Sequence, residues 1–387
     1  MTVTEEFKRL LAESVGAENA AIVLKALADD PSVSIRLNPA KLKECPFPDA
    51  ENVPWSPYGY ILKERPSFTL DPLFHAGCYY VQDTSAMFVG HVARKYMDRE
   101  GMTVLDLCAA PGGKTTDLAA SLRERFGDNF SLLANEVMKT RFGVLRSNVE
   151  TWGDSRVGVV SRDPSAFGTA PLFDMIVADV PCSGEGMFRK DAKAVEDWSL
   201  ETVDFCVARS HRILADIWPT LKPGGILIFS TCTFNHLENG DTVEWIANEL
   251  GADILDQHIM LPGLVPGEGQ FVAALRKNGE ADGVRAGDPF KIFRAEMPDQ
   301  VGHDGKAGHD GKAGHDGKVN HDEVPNINVD RQTALRYLHG DALKLPEAPI
   351  GLITICYEGH PLGPAKNLGT RCNNLYPKGK RIRMQVG

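Results

Sequence analysis

No run of 18 consecutive apolar residues occurs in the chain, so no segment is long enough to cross a bilayer as a helix. The opening residues, MTVTEEFKRLLAES, lack the apolar core of a secretory signal and read instead as an acidic amphipathic helix. Eight cysteines are scattered over 387 residues without a paired CxxC spacing, which excludes the common structural zinc frameworks and fits a reducing, cytoplasmic setting. Two phosphate-binding loops are also missing. A Walker A loop needs a glycine six residues before its lysine, where Lys114 has Cys108, and no G-x-G-x-x-G is present. The net charge of -10 weighs against a nucleic-acid partner for the chain as a whole, but a sum over the whole chain says nothing of local patches.

What is present is ordinary globular material, 43% hydrophobic and 24% charged, enough for two or three domains. Helical spacing of Phe7, Leu10, Leu11, Val23 and Leu27 predicts helix over residues 1 to about 30. SVSIRLN (32–38) alternates like a strand, and Asp83 or Thr84 is placed to cap a helix carrying Met87, Phe88, Val89 and Val92. From Gly101 strands and helices alternate. TVLDL (103–107) runs into CAAPGGKTTDLAASL, whose small residues let backbone N–H groups approach an adenosyl-like ligand at a helix start. A strand over 131–135 ends at Glu136, one βα unit later, in place to accept both hydroxyls of a ribose. Strands over 157–161 and 173–179 end at Arg162-Asp163 and Asp179, the latter followed by the turn Pro181-Cys182-Ser183-Gly184. A helix over 200–218, a strand over 225–230 ending at Thr231-Cys232-Thr233, a helix over 239–250 and a late strand over 271–277 complete the pattern.

Five strands thus deliver Asp106, Glu136, Asp163, Asp179 and Cys232 to one edge. Taken singly, a carboxylate after a strand is usually a helix cap, and a cysteine is commonly a small buried apolar residue. Together they line the crevice in which open parallel sheets bind ligands. Both Cys182 and Cys232 follow strands at that edge, and position alone does not choose a nucleophile between them.

Residues 278–328 break the pattern. GHDGKA recurs at 302–307 and 308–313 and returns as GHDGKV at 314–319, too poor in apolar side chains to form a core; a flexible spacer is the simplest reading, with weak metal holding by the His-Asp pairs as the alternative. The last stretch regains structure, with a helix over 332–338 and a strand over 351–359. After Glu358 it holds Lys366, Arg371, Lys378, Lys380, Arg381 and Arg383 and no acid. Such a run is usually a solvated face; beside Asn373, Asn374 and Tyr376 it also reads as an RNA-binding patch.

Ordered motifs now carry a resemblance. CAAPGGKT (108–115), Asn135-Glu136, Asp163, DVPCSGEGMFRKD (179–191) and STCTFNHLENG (230–240) are similar to those of the NOL1/NOP2/Sun family of RNA cytosine-C5 methyltransferases, most closely its bacterial 16S rRNA members. IRLNP (35–39) and YYVQDTSAM (79–87) resemble the family's N-terminal region, and PLGPAKN with NNLYPKGKR its PUA-like region. The resemblance implies an α/β fold: a Rossmann-like class I methyltransferase domain (99–278), a small α+β N-terminal RNA-binding domain (1–98), a linker (279–328) and a small C-terminal PUA-like β domain (329–387). It implies S-adenosylmethionine as cofactor, its methionine and ribose cradled by Cys108, Ala109, Ala110, Pro111, Gly112, Gly113 and Lys114, its ribose held by Glu136 and its adenine contacted by Asp163. Asp179 would lie where cofactor and base meet, Cys232 would be the nucleophile, and Cys182 would help release product, with no metal. The implied partner is RNA, 16S rRNA or the small ribosomal subunit, bound by a cytoplasmic monomer without a membrane contact. A tRNA substrate, or a non-catalytic RNA-binding assembly role, are the alternatives. The chain departs from its longer relatives in its spacer, its acidity and the lack of sequence beyond the PUA-like segment.

Overall fold

The computed structural model describes residues 3–279, 289–293, 296–297 and 324–384; the GHDGKA repeats, and with them the spacer and metal readings, lie outside the described residues. At the centre is a seven-stranded sheet of β1 (Met102–Asp106), β2 (Phe130–Asn135), β3 (Val157–Val160), β4 (Phe173–Asp179), β5 (Leu221–Thr231), β6 (Ala252–Met260) and β7 (Gln270–Lys277). Their spatial order is β3-β2-β1-β4-β5-β7-β6. The first five are parallel, while β7 runs antiparallel to β5 and β6 antiparallel to β7. Helices α1 (Thr84–Lys95), α2 (Gly113–Phe126) and α3 (Lys139–Trp152) cover one face, and α4 (Leu200–Ile217) the other.

Successive strand residues point to opposite faces. Val104, Leu132, Val177 and Ile228 therefore pack with Leu118, Leu145 and Val149, whereas Leu105, Leu133, Ile176 and Leu227 pack with Ile213, Leu214 and Ile217. Burial on both faces explains why these strands read as short continuous apolar runs. Asp83 caps α1, accepting from the Ser85 N–H at 3.0 Å. Gly90 lets α1 settle on α2, because a Cβ there would stand 2.2 Å from Asp117 Oδ2.

Several elements differ from the sequence expectation. The N-terminal stretch is two helices, Glu5–Val15 and Ala17–Ala26, parted at Gly16, where φ is 82°. The helix expected over 239–250 is α-helical only over Gly240–Trp245 and widens to a π-helical turn at Ile246–Gly251. Nothing in ADILDQHIM predicts β6, an edge strand whose side chains are mostly solvated. β5 begins at Leu221, four residues before its apolar run.

The two N-terminal helices pack on loops of the central domain. Phe7 lies 5.1 Å from the Phe188 ring and 5.3 Å from Trp198, and the His236 N–H donates to Ser14 Oγ at 2.9 Å. An antiparallel sheet of Glu51–Asn52, Gly59–Leu62, Val33–Leu37 and Tyr79–Val81 follows. The C-terminal region pairs helix Arg331–His339 with a sheet of Asn326–Asn328, Gly351–Tyr357, His360–Asn367 and Cys372–Asn374. These two small units share one apolar cluster, in which Ile35, Leu37 and Leu73 join Leu335, Ile353 and Tyr376. No helix among the described residues is long and apolar enough to cross a membrane.

Arg36 fastens the N-terminal sheet to the start of α2. It is fully buried; Nε donates to Gln82 Oε1 at 2.8 Å, and Nη2 donates to Gly113 O at 3.1 Å and to Thr116 Oγ1 at 2.5 Å. Its guanidinium lies 4.7 Å from the centre of the Trp152 ring and 4.0 Å from Asp117. Removing one partner of a buried charged network leaves the others unpaired. Arg36→Leu is expected to lower stability by about 3–5 kcal/mol in urea unfolding. A loss below about 1 kcal/mol would mean that the arginine is replaceable packing rather than a tie.

Candidate active site

The parallel strands bring all five strand-end residues to the carboxyl edge, where the strand order reverses between β1 and β4. They do not stand alike. Asp106 is completely buried; its Oδ2 accepts from Thr115 Oγ1 at 2.6 Å, while Oδ1 has no partner. Burial lifts its carboxyl to about 7. Glu136, 3% exposed, accepts from the Met138 N–H at 2.8 Å through Oε1. Its Oε2 makes no hydrogen bond, though Arg141 Nη1 lies 3.5 Å away. Asp163 is further out, capping the turn Pro164–Phe167; it accepts from Ser165 Oγ at 2.8 Å and pairs with Arg212 at 3.4 Å. These contacts, Ser165 first, hold its carboxyl below the usual range.

Residues 107–112 link β1 to α2, and Gly113 and Lys114 open that helix. Gly112, at φ 110°, occupies the left-handed region at the N-cap of α2, and no side chain caps that helix end. Cys108 shares a cleft with Glu136, Val137, Met138 and Arg141, and burial pushes its thiol up. An uncapped helix start, a loop of small residues and an orphaned buried carboxylate oxygen at the next strand end together fit a nucleoside-bearing ligand with ribose hydroxyls to donate. Lys114 stands apart from the rest of its motif. Its ammonium reaches across to Asp179 Oδ2 at 2.8 Å. Burial opposes the lysine charge, but Asp179, together with the other acidic groups nearby, holds the ammonium above its ordinary value.

Asp179 ends β4, and its other oxygen accepts from Ser230 Oγ at 2.7 Å and from Gln270 Nε2 at 3.0 Å. Next to it the two thiols meet: Cys182 Sγ and Cys232 Sγ are 3.3 Å apart. The hydrogen bond with Cys232, then burial, push the Cys182 thiol well above its ordinary value.

Two carboxylates that the sequence does not single out hold this pair of turns. Glu185, 1% exposed, accepts from the N–H groups of Phe234 (2.6 Å) and Asn235 (3.2 Å), from Asn235 Nδ2 (2.9 Å) and from Trp198 Nε1 (3.1 Å). Glu238, 3% exposed, accepts from the Ser183 N–H (2.9 Å), Ser183 Oγ (2.5 Å) and Asn235 Nδ2 (2.8 Å). The Gly186 N–H donates to Cys232 O at 2.8 Å. The only sequence signal for these residues is their place within the two cysteine-bearing motifs.

Burial raises the Glu238 carboxyl to about 7, as it does Asp106. Both folded values lie above the unfolded range of about 4, so the folded chain binds more protons between the two values and stability falls as pH rises through that window. Glu238→Gln removes one of these groups, and the fall in urea midpoint between about pH 5 and pH 7 should become shallower than in wild type. An unchanged slope would show that Glu238 is ionised throughout.

Comparison with known proteins gives three family models in chain order: the N-terminal domain of 16S rRNA methyltransferase RsmF at 3–84, 16S rRNA methyltransferase RsmB/F at 96–283, and the methyltransferase RsmF PUA domain at 324–382. Ribosomal RNA small subunit methyltransferase F of Pectobacterium atrosepticum is 34% identical over 256 residues, spanning 59% of this chain and 51% of its own length. The protein of that name from Aeromonas salmonicida is 33% identical over 281 residues, spanning 63% and 57%. The chain thus matches little more than half the length of these curated relatives. Among solved structures, a methyltransferase homolog protein from Pyrococcus horikoshii superposes with TM-score 0.61 and 25% identity, covering 71% of this chain and 95% of that one. NSun6 from the same organism, solved with SFG, shares the fold with TM-score 0.60 and 17% identity, covering 72% and 99%. With N-terminal, catalytic-core and PUA segments matched in that order, the chain belongs to the NOL1/NOP2/Sun methyltransferase family, on its RsmB/F branch.

Proposed function

We propose that the protein transfers a methyl group to C5 of a cytosine in RNA, and that the RNA is 16S rRNA. The observation that carries the chemistry is the pair of thiols 3.3 Å apart beside the Lys114–Asp179 ion pair. The choice of RNA rests on the small-subunit rRNA methyltransferases named above. The cofactor reading is S-adenosylmethionine, held by residues 108–113 with Glu136 at the ribose and Asp163 towards the adenine; when bound it supplies an electrophilic methyl group.

Cytosine C5 is a poor nucleophile until a thiolate adds at C6. Cys232 Sγ is the group we assign to that addition, because the PCSGEG and TCT motifs together resemble those of the RNA family, which uses the later cysteine. As the S–C6 bond forms, the C5–C6 π electrons move into the ring, and hydrogen bonding or protonation at N3 eases the shift. We assign that role to Asp179, with Lys114 as its proton-bearing partner; Ser230 and Gln270 fix its orientation. After methylation the C5 proton must leave to a base, its electron pair restoring the double bond and expelling Sγ from C6. Cys182 adjoins that sulfur and stays protonated, so it can return a proton to the departing thiolate and receive one in turn. A base must leave its stack to reach such a site, so the target is single-stranded or flipped.

Bisulfite sequencing of RNA from cells with and without the gene tests the substrate. A mark lost from 16S rRNA is expected; a mark lost from tRNA alone would overturn the rRNA reading. The cysteine roles are tested on purified protein and RNA. Cys232→Ala is expected to abolish both adduct and turnover, by at least roughly 10³-fold. Cys182→Ala should accumulate a covalent protein–RNA adduct, and normal turnover without one would reverse the assignment.

A further inference from the structure

A cleft of about 380 Å³ opens where three parts of the fold meet, and none of the chemistry above uses it. Phe74 and His75 come from the short helix Pro72–His75, Tyr80 from the strand Tyr79–Val81, Asn148 from α3, and Tyr376 and Lys380 from the C-terminal unit. Its size is in the range of a small-ligand pocket. The lining combines aromatic rings, a side-chain amide and a cation. Lys380 is opposed only loosely, by the half-exposed Glu150 at 3.6 Å. The segment carrying Lys380 has six basic residues and no acid after Glu358, so the C-terminal wall is locally positive in an acidic chain.

The cleft also touches the back of the catalytic loop. Asn148 Nδ2 donates to Pro111 O at 2.8 Å, and a Cβ built on Gly113 would lie 3.2 Å from the Tyr80 ring.

We propose that this cleft is a second RNA contact that takes one unpaired nucleotide of the substrate strand, apart from the cytosine being methylated. The proposal rests on the RNA reading above. Rings offer a stacking surface to any base, the lysine a partner to a phosphate, and the asparagine carbonyl an acceptor to a base edge. Such a site holds the strand while the target base is in the active centre, and its loss weakens RNA binding without altering the thiol chemistry.

The test uses the full chain and short single-stranded RNA carrying 4-thiouridine. Ultraviolet crosslinks should map to peptides around 74–80 and 376–380 in addition to the Cys182–Cys232 edge. Ser147→Phe fills the cleft from α3, and Lys380→Glu reverses its charge. Each should weaken RNA binding by about five- to hundredfold, the range one stacked base contributes. The rate of adduct formation at saturating RNA should stay at the wild-type value. Crosslinks at the cysteine edge alone, with both variants binding as wild type, would overturn the cleft and leave the RNA reading standing. RNA that neither binds nor crosslinks to the wild-type chain would sink both. Crosslink mapping on the wild type keeps the proposal testable even if a variant fails to fold.

Discussion

Two buried carboxylates hold the cysteine-bearing edge together. Glu185 lies in the turn after β4 and binds the turn after β5, while Glu238 lies beyond β5 and binds back to Ser183 in the first turn. The ties run in opposite directions between the same two loops, and Asn235 donates to both. A buried carboxylate costs much unless its lone pairs are met, so each tie stabilises only the loop arrangement that supplies its donors. The short distance between the thiols follows from this constraint.

The N-terminal helices add a second layer of support. Phe7 seals Phe188 and Trp198, and Trp198 is itself a donor to Glu185. The packing of the first residues of the chain is thus passed to the cysteine turns through one indole N–H. Asp179 is fixed from three directions, by α2, β5 and β7, so its carboxylate has little freedom to turn away from the site. Preorganised polar groups of this kind do not have to reorient as the reaction proceeds.

Much of this was legible in the sequence. Strands β1, β2, β4 and the core of β5 are buried on both faces, and their apolar runs end abruptly in polar residues. The cluster of Asp106, Glu136, Asp179 and Cys232 follows from parallel connections alone. β6 was not legible, because an edge strand with solvated side chains lacks both alternation and an apolar run. Glu185 and Glu238 look like any loop acids until the fold shows what surrounds them. Lys114 belongs by sequence to the glycine loop, yet its side chain is long enough to leave that loop and join Asp179. The break at Gly16 and the widened turn at Ile246–Gly251 are backbone events that helical spacing does not register.

The apolar cluster shared by the N-terminal sheet and the C-terminal unit bears on how the chain reaches its native state. Ile35 and Leu37 leave the ribosome early, whereas Leu335, Ile353 and Tyr376 emerge some 300 residues later. Contacts so distant in sequence form slowly, and apolar surface waiting for them is exposed to mispairing. The central sheet pairs over shorter separations, its strands all falling within residues 102–277. Assembly is therefore expected to be staged: the central domain folds while translation continues, and the two flanking units close over their common core last.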